Sequence, residues 1–270
     1  IDWNISKIGP EIDKKFIADI VSRTSFNEDI LTKDYYLTKV LYLIKDVEGI
    51  YFKGGTALQK IFLNYSRLSE DIDFTVTKNV IEIEKEIKNI LKTQDFVKKI
   101  ENGKSVDKFI RIIIHYDNFS EEEDTIFIDL NERAKLLGKP ELYEVRHFYK
   151  GYIPLFSVEC LSKEEMVAEK VAAAIGRNKP RDHFDVYQII KNNMPINFKL
   201  VEEKCKQSED EFNIIKMFNN ANKLKNRWDN DLVPLLAEET TFQEVMKTLA
   251  KYFKLKEAKE AKKKSKIYIY

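Results

Sequence analysis

At 270 residues, 43% apolar and 12% aromatic, the chain is long enough for one large domain or two modest ones and can bury a real core. Gly and Pro are scarce, which excludes long disordered stretches, and a net charge of +1 identifies no partner class by itself. Cys160 and Cys205 stand in no metal-ligand or CxxC spacing, and no apolar run reaches the ~18 residues of a membrane span. The opening Ile1-Asp2-Trp3-Asn4 has neither a basic, apolar secretion signal nor an initiating methionine, so a trimmed, cytoplasmic protein is expected.

Residues 11–24 and 28–47 read as helices, the second with Leu37, Val40, Leu41 and Ile44 at helical spacing. Ile50-Tyr51-Phe52 is a short β-prone run stopped by Gly54-Gly55, after which Thr56 to Tyr65 reads as helical. Asp71 to Val76 alternates polar and apolar as a half-buried strand does. Residues 80–93 form a helix. Two β-rich runs, 95–101 and 108–116, are expected to join in a hairpin at Asn102-Gly103. Thr125 to Leu130 is a further strand, and residues 143–160 are β-prone and irregular. The texture then changes. Ser162 and Glu165 form a capping box for a helix over 163–176, and Pro180 opens another that runs to about Lys191. Helical patterns continue at 198–207, 209–229 and 241–260. The expected layout is an α/β domain over residues 1–158 and a helical domain over 159–270.

The first chemical signal is Phe52-Lys53-Gly54-Gly55-Thr56-Ala57-Leu58, a strand that enters two glycines and then a helix. Glycines let backbone approach a ligand closely, the helix start offers unpaired N–H groups to phosphate, and Thr56 can add a hydroxyl. The same pattern also serves as a plain turn. The second signal is Arg67-Leu68-Ser69-Glu70-Asp71-Ile72-Asp73-Phe74. Asp71 and Asp73, two apart on a strand, share one face while Ile72 and Phe74 take the other. Two like charges on one face call for a cation, and Mg²⁺ takes oxygen ligands beside substrate phosphates. Asp129, a lone acid in an apolar strand, is the candidate third ligand. Its alternative role is a strand-end Asp satisfied by backbone N–H groups or by Arg133.

Further along, Lys170 and Arg177 are seven apart on one helix face, with alanines between them that keep the face low. They can serve a triphosphate or form an ordinary solvated face. Asp182 and Asp185 follow Arg181 on adjacent turns. They can orient Lys170 or Arg181, act as a base, or complement a helix N-terminus. From Lys247 onward nine lysines face only Glu257 and Glu260, a basic tail that suits a phosphate backbone or a solvated helix end.

At these residues the chain resembles the AbiEii/AbiGii toxin group of the polymerase-β-like nucleotidyltransferase superfamily. The resemblance rests on blocks in the same order: Lys33-Asp34-Tyr35, residues 52–58, residues 67–73, and 169–173 with Arg177 and 181–185. It covers roughly residues 33–190, and nothing beyond. It implies a mixed sheet flanked by helices, followed by an all-helical domain that contributes Lys170 and Asp185 to the cleft. It also implies transfer of a nucleotide from an NTP, with Mg²⁺, to a hydroxyl acceptor, an RNA such as the 3′ end of tRNA, and a cognate antitoxin. On this reading Gly54, Gly55 and Thr56 hold phosphate, and Asp71, Asp73 and, on a looser match, Asp129 hold metal. Lys170, Arg177 and Arg181 meet the nucleotide, and Asp185 stands at or beside the reacting groups. Lys33 and Arg67 are structural or line the acceptor path. A small-molecule transferase of the antibiotic-modifying kind and a non-catalytic nucleotide-binding module remain as alternatives.

Overall fold

Alternation of buried and half-buried positions along the central strands builds one sheet with two unlike faces. The structure, a computed structural model, describes residues 12–267. It divides into two units, Ile1–Leu161 and Ser162–Tyr270. The first contains helices α1 (Lys14–Thr24), α2 (Glu28–Ile44), α3 (Gly54–Ala57) and α4 (Val80–Leu91). Its strands are β1 (Ile50–Lys53), β2 (Asp71–Val76), β3 (Lys99–Val106), β4 (Phe109–Asp117), β5 (Glu123–Asn131), β6 (Glu141–Glu144) and β7 (Ser157–Cys160). The spatial order is β3-β4-β5-β2-β1-β7-β6. The sheet is mixed: β2 runs parallel to β5 and β1 parallel to β7, while the other pairs are antiparallel.

On one face Ile72, Phe74, Ile112, Ile114, Ile128 and Leu130 are buried, covered by α2 and α4. Helix α4 is held there by Val80, Ile83, Ile87 and Leu91, four buried positions at helical spacing. Each such side chain contributes roughly 1.5–3 kcal/mol. Asn79 caps the start by accepting from the Ile81 and Glu82 N–H groups. The opposite face is only half-buried and carries the polar partners of the same strands.

The hairpin expected at Asn102-Gly103 is not there. The two-residue turn is Asp107-Lys108, with Lys108 at φ 54°, between the paired Val106 and Phe109. Asn102 and Gly103 sit inside β3, where the register shifts before Ser105. An Asn-Gly pair suits a bulge as well as a turn, and tertiary packing chose the bulge: a side chain at Gly103 would press on Arg111 and Ile113, both 3.1 Å from a Cβ there. The helix predicted from Thr56 begins two residues earlier, at Gly54, and widens into a π-turn over Leu58–Phe62. Residue 11 and the chain start lie outside the described residues.

The second unit is helical: α5 (Lys163–Gly176), α6 (Pro180–Lys191), α7 (Phe198–Gln207), α8 (Ala221–Asp231), α9 (Phe242–Tyr252) and α10 (Leu255–Ile267). Val171, Ile175, Phe184, Tyr187, Trp228 and Leu249 lie at its centre. Ser162 caps α5 by accepting from the Glu165 N–H, and Pro180 opens α6. The Glu165 carboxylate meets buried Lys204 at 2.7 Å. Two continuous helical readings are broken. Residues 209–229 resolve into a 3₁₀ turn, Ile214–Phe218, and α8, while 241–260 splits at Phe253-Lys254, with Lys254 at φ 48°. Positive φ ends a helix whatever the side-chain pattern on either side. The last three residues of the basic tail lie outside the described residues.

Candidate active site

Strand β1 delivers the chain into the glycine turn, and β2 lies antiparallel beside it, with Lys53 opposite Asp73. Gly54 adopts φ +77°, a conformation that favours glycine. A Cβ built on it would lie 2.1 Å from Asp73 Oδ2, so the carboxylate rests directly against the turn. Thr56 is buried, and its hydroxyl donates to the Asp71 carbonyl oxygen, which ties the turn to the acid-bearing strand. Arg67 is buried beneath the same turn. Its Nη2 would lie 2.8 Å from a Cβ on Gly55, and its Nη1 donates to the Leu68 carbonyl at 2.8 Å. Arg67 is thus packed against the turn. Lys33 is an ion-pair partner of Asp124 at 3.1 Å.

Behind the turn, a buried network holds the helix in place. Lys60 Nζ reaches Asp34 at 2.7 Å, the Tyr65 hydroxyl at 2.7 Å and the Thr38 hydroxyl at 2.9 Å. Asp34 also accepts from the Tyr149 hydroxyl at 2.9 Å. Burial lowers the affinity of Lys60 for its proton, and Asp34 opposes that. A buried charge survives only with such partners. The network fastens α2 to the segment that follows the glycines.

The acids line up because sheet register is exact to the residue. Asp73 is the parallel partner of Asp129, and Asp71 of Phe127. Paired residues point to the same side, and strands lie ~4.8 Å apart. Asp71, Asp73 and Asp129 therefore share the half-buried face. The next strand adds a residue that the sequence reading missed. Arg111 is the antiparallel partner of Asp129. Its Nε donates to Asp129 Oδ1 at 2.7 Å and its Nη2 to Oδ2 at 2.6 Å. Arg133, the partner considered from sequence, instead lies over the Phe109 ring. The fork to Asp129, helped by the charges of Asp71 and Asp73, holds the Arg111 proton still more firmly. One transverse row of the sheet thus reads Lys53, Asp73, Asp129, Arg111: a cation, two acids, a cation. The only hint in the sequence was an arginine at a polar position of the alternating run Phe109-Ile110-Arg111-Ile112.

Carboxylate oxygens are the donors that a hard divalent cation takes, and Asp71, Asp73 and Asp129 share one face, with both oxygens of Asp129 held by Arg111. Gly54 leaves open the space beside Asp73 that any side chain would fill. Among the described residues, no three His, Cys, Asp or Glu side chains stand together in a metal-holding arrangement.

In the helical unit Lys170 is buried, with Nζ 3.1 Å from Asp182 Oδ1 and 3.0 Å from Asp185 Oδ2. Arg177 reaches Asp182 Oδ1 at 2.9 Å from a half-exposed position. Both acids thus pair with Lys170. Burial would push the Asp182 carboxyl up, but Lys170 and Arg177 outweigh it and pull it down to about 2. The Arg181 Nε donates to the Asp231 carbonyl at 3.0 Å, at the end of α8. Among the described residues no helix is long and apolar enough to cross a membrane.

A model of the family "Nucleotidyl transferase AbiEii toxin, Type IV TA system" matches residues 36–249. No curated protein matches the chain in sequence. Among solved structures, the chain is similar to MenT4, a nucleotidyltransferase toxin from Mycobacterium tuberculosis H37Rv. The two share 18% identity over 89% of each chain, with a TM-score of 0.66. It is also similar to JHP933 from Helicobacter pylori, at 19% identity over 90% of this chain and 98% of that one, with a TM-score of 0.55. At these identities the likeness is one of fold.

Proposed function

The chain belongs to the AbiEii family of nucleotidyltransferase toxins, and from that premise we propose that it moves a nucleotide from an NTP to the 3′-hydroxyl of an RNA, most simply a tRNA, with Mg²⁺. The observation that carries this reading is the Asp73 carboxylate resting against Gly54 while sharing its face with Asp71 and Asp129. Backbone N–H groups at a helix start suit an anion and neighbouring carboxylates suit a cation, which supports the reading of one triphosphate site. Asp71, Asp73 and Asp129 are the residues assigned to hold Mg²⁺. When bound, the ion would neutralise phosphate charge and lower the barrier to attack by the acceptor hydroxyl.

The remaining roles fall to the chain's own groups. Gly54, Gly55 and Thr56 present backbone N–H groups at the start of α3 that donate to phosphate oxygens. Thr56 does so while its hydroxyl stays on Asp71. Lys170 and Arg177 supply positive charge for the triphosphate, with Asp182 and Asp185 holding Lys170 in one orientation. Arg181 is assigned to the nucleotide as well, with its Nε donating to the Asp231 carbonyl. The exposed Lys256, Lys259 and Lys262 of α10 suit the RNA backbone. A cognate antitoxin, expected of a type IV system, would neutralise the toxin in the cytoplasm.

The test is to incubate the protein with each NTP, Mg²⁺ and purified tRNA and look for a mass increase of one or more nucleotides on the RNA. Asp73→Ala should keep the native melting profile and lose transfer. Native turnover by a folded Asp73→Ala variant would remove the assignment. Label appearing on a small molecule from a metabolite pool, and none on RNA, would replace the acceptor.

A further inference from the structure

The transverse row of charges contains a cation that none of the matched sequence blocks includes. Arg111 clamps both oxygens of Asp129, at 2.7 and 2.6 Å. Its guanidinium also lies over the Phe127 ring, with Cζ 4.8 Å from the centroid. Phe127 is the neighbour of Asp71 on β5, so the guanidinium leans along the sheet towards Asp71 while bonded to Asp129. Side-chain exposure is 33% for Arg111 and 13% for Asp129, which makes this a partly dehydrated contact rather than a solvated surface pair. A fork bonded at both ends and stacked on a ring has little freedom to wander.

We propose that Arg111 is a positioning residue of the transfer site: it fixes the direction of Asp129, and its charge restrains the acidic face from taking up a divalent cation before nucleotide arrives. The proposal deepens the metal-dependent reading above and rests on it. Without Arg111, Asp129 would regain both of its oxygens and its full charge beside Asp71 and Asp73. With Arg111 in the row, the face is less negative by one charge. Mg²⁺ is then held firmly only when a triphosphate contributes its own oxygens. The two effects of the side chain separate by substitution. A lysine keeps the charge but cannot clamp two oxygens in one plane, whereas a methionine keeps the bulk and loses both.

The experiment is calorimetric titration with Mg²⁺ alone, no nucleotide present, for the unaltered protein, Arg111→Met and Arg111→Lys. A unit charge removed within a strand spacing or two of a divalent ion predicts a gain of about tenfold in Mg²⁺ affinity for Arg111→Met. Arg111→Lys should retain the unaltered affinity and lose turnover at saturating NTP, because Asp129 is no longer oriented. Melting curves establish folding, and Arg111→Gln, which keeps a donor for Asp129, takes the place of Arg111→Met if that variant unfolds. Unchanged or weakened Mg²⁺ binding in the folded neutral variant overturns the proposal. So does a lysine variant that binds like the methionine one. If Mg²⁺ binding is equal in the unaltered protein and in Asp73→Asn, the metal assignment itself fails and takes this inference with it.

Discussion

Replacing Gly54 with alanine tests the contact on which the site depends. Two separate costs are expected. The first is backbone strain: at φ +77° an L-residue pays roughly 1–2 kcal/mol. The second is collision. The new Cβ would meet not only Asp73 Oδ2 at 2.1 Å but also Cγ at 2.7 Å and Cβ at 2.9 Å. A carboxylate oxygen can swing aside, but the Asp73 Cβ is fixed by its strand, so β2 or the turn must move. Forced repacking of this kind costs about 1–3 kcal/mol. Gly151→Ala isolates the first cost, because Gly151 has φ +95° and a Cβ there meets nothing within 4 Å. Denaturant titration of both variants should give a loss of ~1–2 kcal/mol for Gly151→Ala and ~3 kcal/mol for Gly54→Ala. The latter corresponds to a drop of roughly 6–12 °C in Tm for a chain of this size. Turnover should separate the variants further, since a ~1 Å displacement of Asp73 costs about a hundredfold. Equal losses from the two variants would refute the reasoning, as would native turnover by Gly54→Ala.

Lys60→Met should destabilise the first unit by ~3–5 kcal/mol, because it strands Asp34 as an unpaired buried charge, and circular dichroism in denaturant will show it. A loss below 1 kcal/mol would mean that the network is dispensable. Asp182 contributes stability with a defined pH window. Its carboxyl sits near 2 in the folded protein against 3.8 ordinarily, so the unfolded chain takes up its proton first as pH falls. That stability, about 2 kcal/mol, is complete above pH ~4 and is lost as pH drops towards ~2. Asp182→Asn should flatten the acid limb of the stability profile in that window. An unchanged limb would show that Lys170 and Arg177 do not hold the carboxylate.

Much of the architecture was legible because its signals are local. Val80, Ile83, Ile87 and Leu91 mark a helical face by spacing alone, and Asp71 to Val76 declares a half-buried strand by alternation. Ser162 and Pro180 announce helix starts by the chemistry of the first turn. The glycine turn and the Asp71–Asp73 pair were visible for the same reason, since each needs only a few consecutive residues. Local signals failed where two outcomes share one pattern. Asn102-Gly103 suits a hairpin or a bulge, and the choice depended on the shape of Arg111 and Ile113 across the strand. Lys254 at positive φ breaks a stretch whose side-chain pattern reads as continuous helix.

The sequence by itself determined the element types, the change from a mixed sheet to helices near residue 160, and the family to which the chain belongs. Only the tertiary structure decided which charges meet. It paired Asp129 with Arg111, 18 positions away, rather than with nearby Arg133. It sent Lys60 to Asp34 and Lys170 to both Asp182 and Asp185. Periodicity and capping act within a few residues along the chain. Ion pairing acts through space, at distances set by strand register and helix packing, and no short stretch of sequence contains that information.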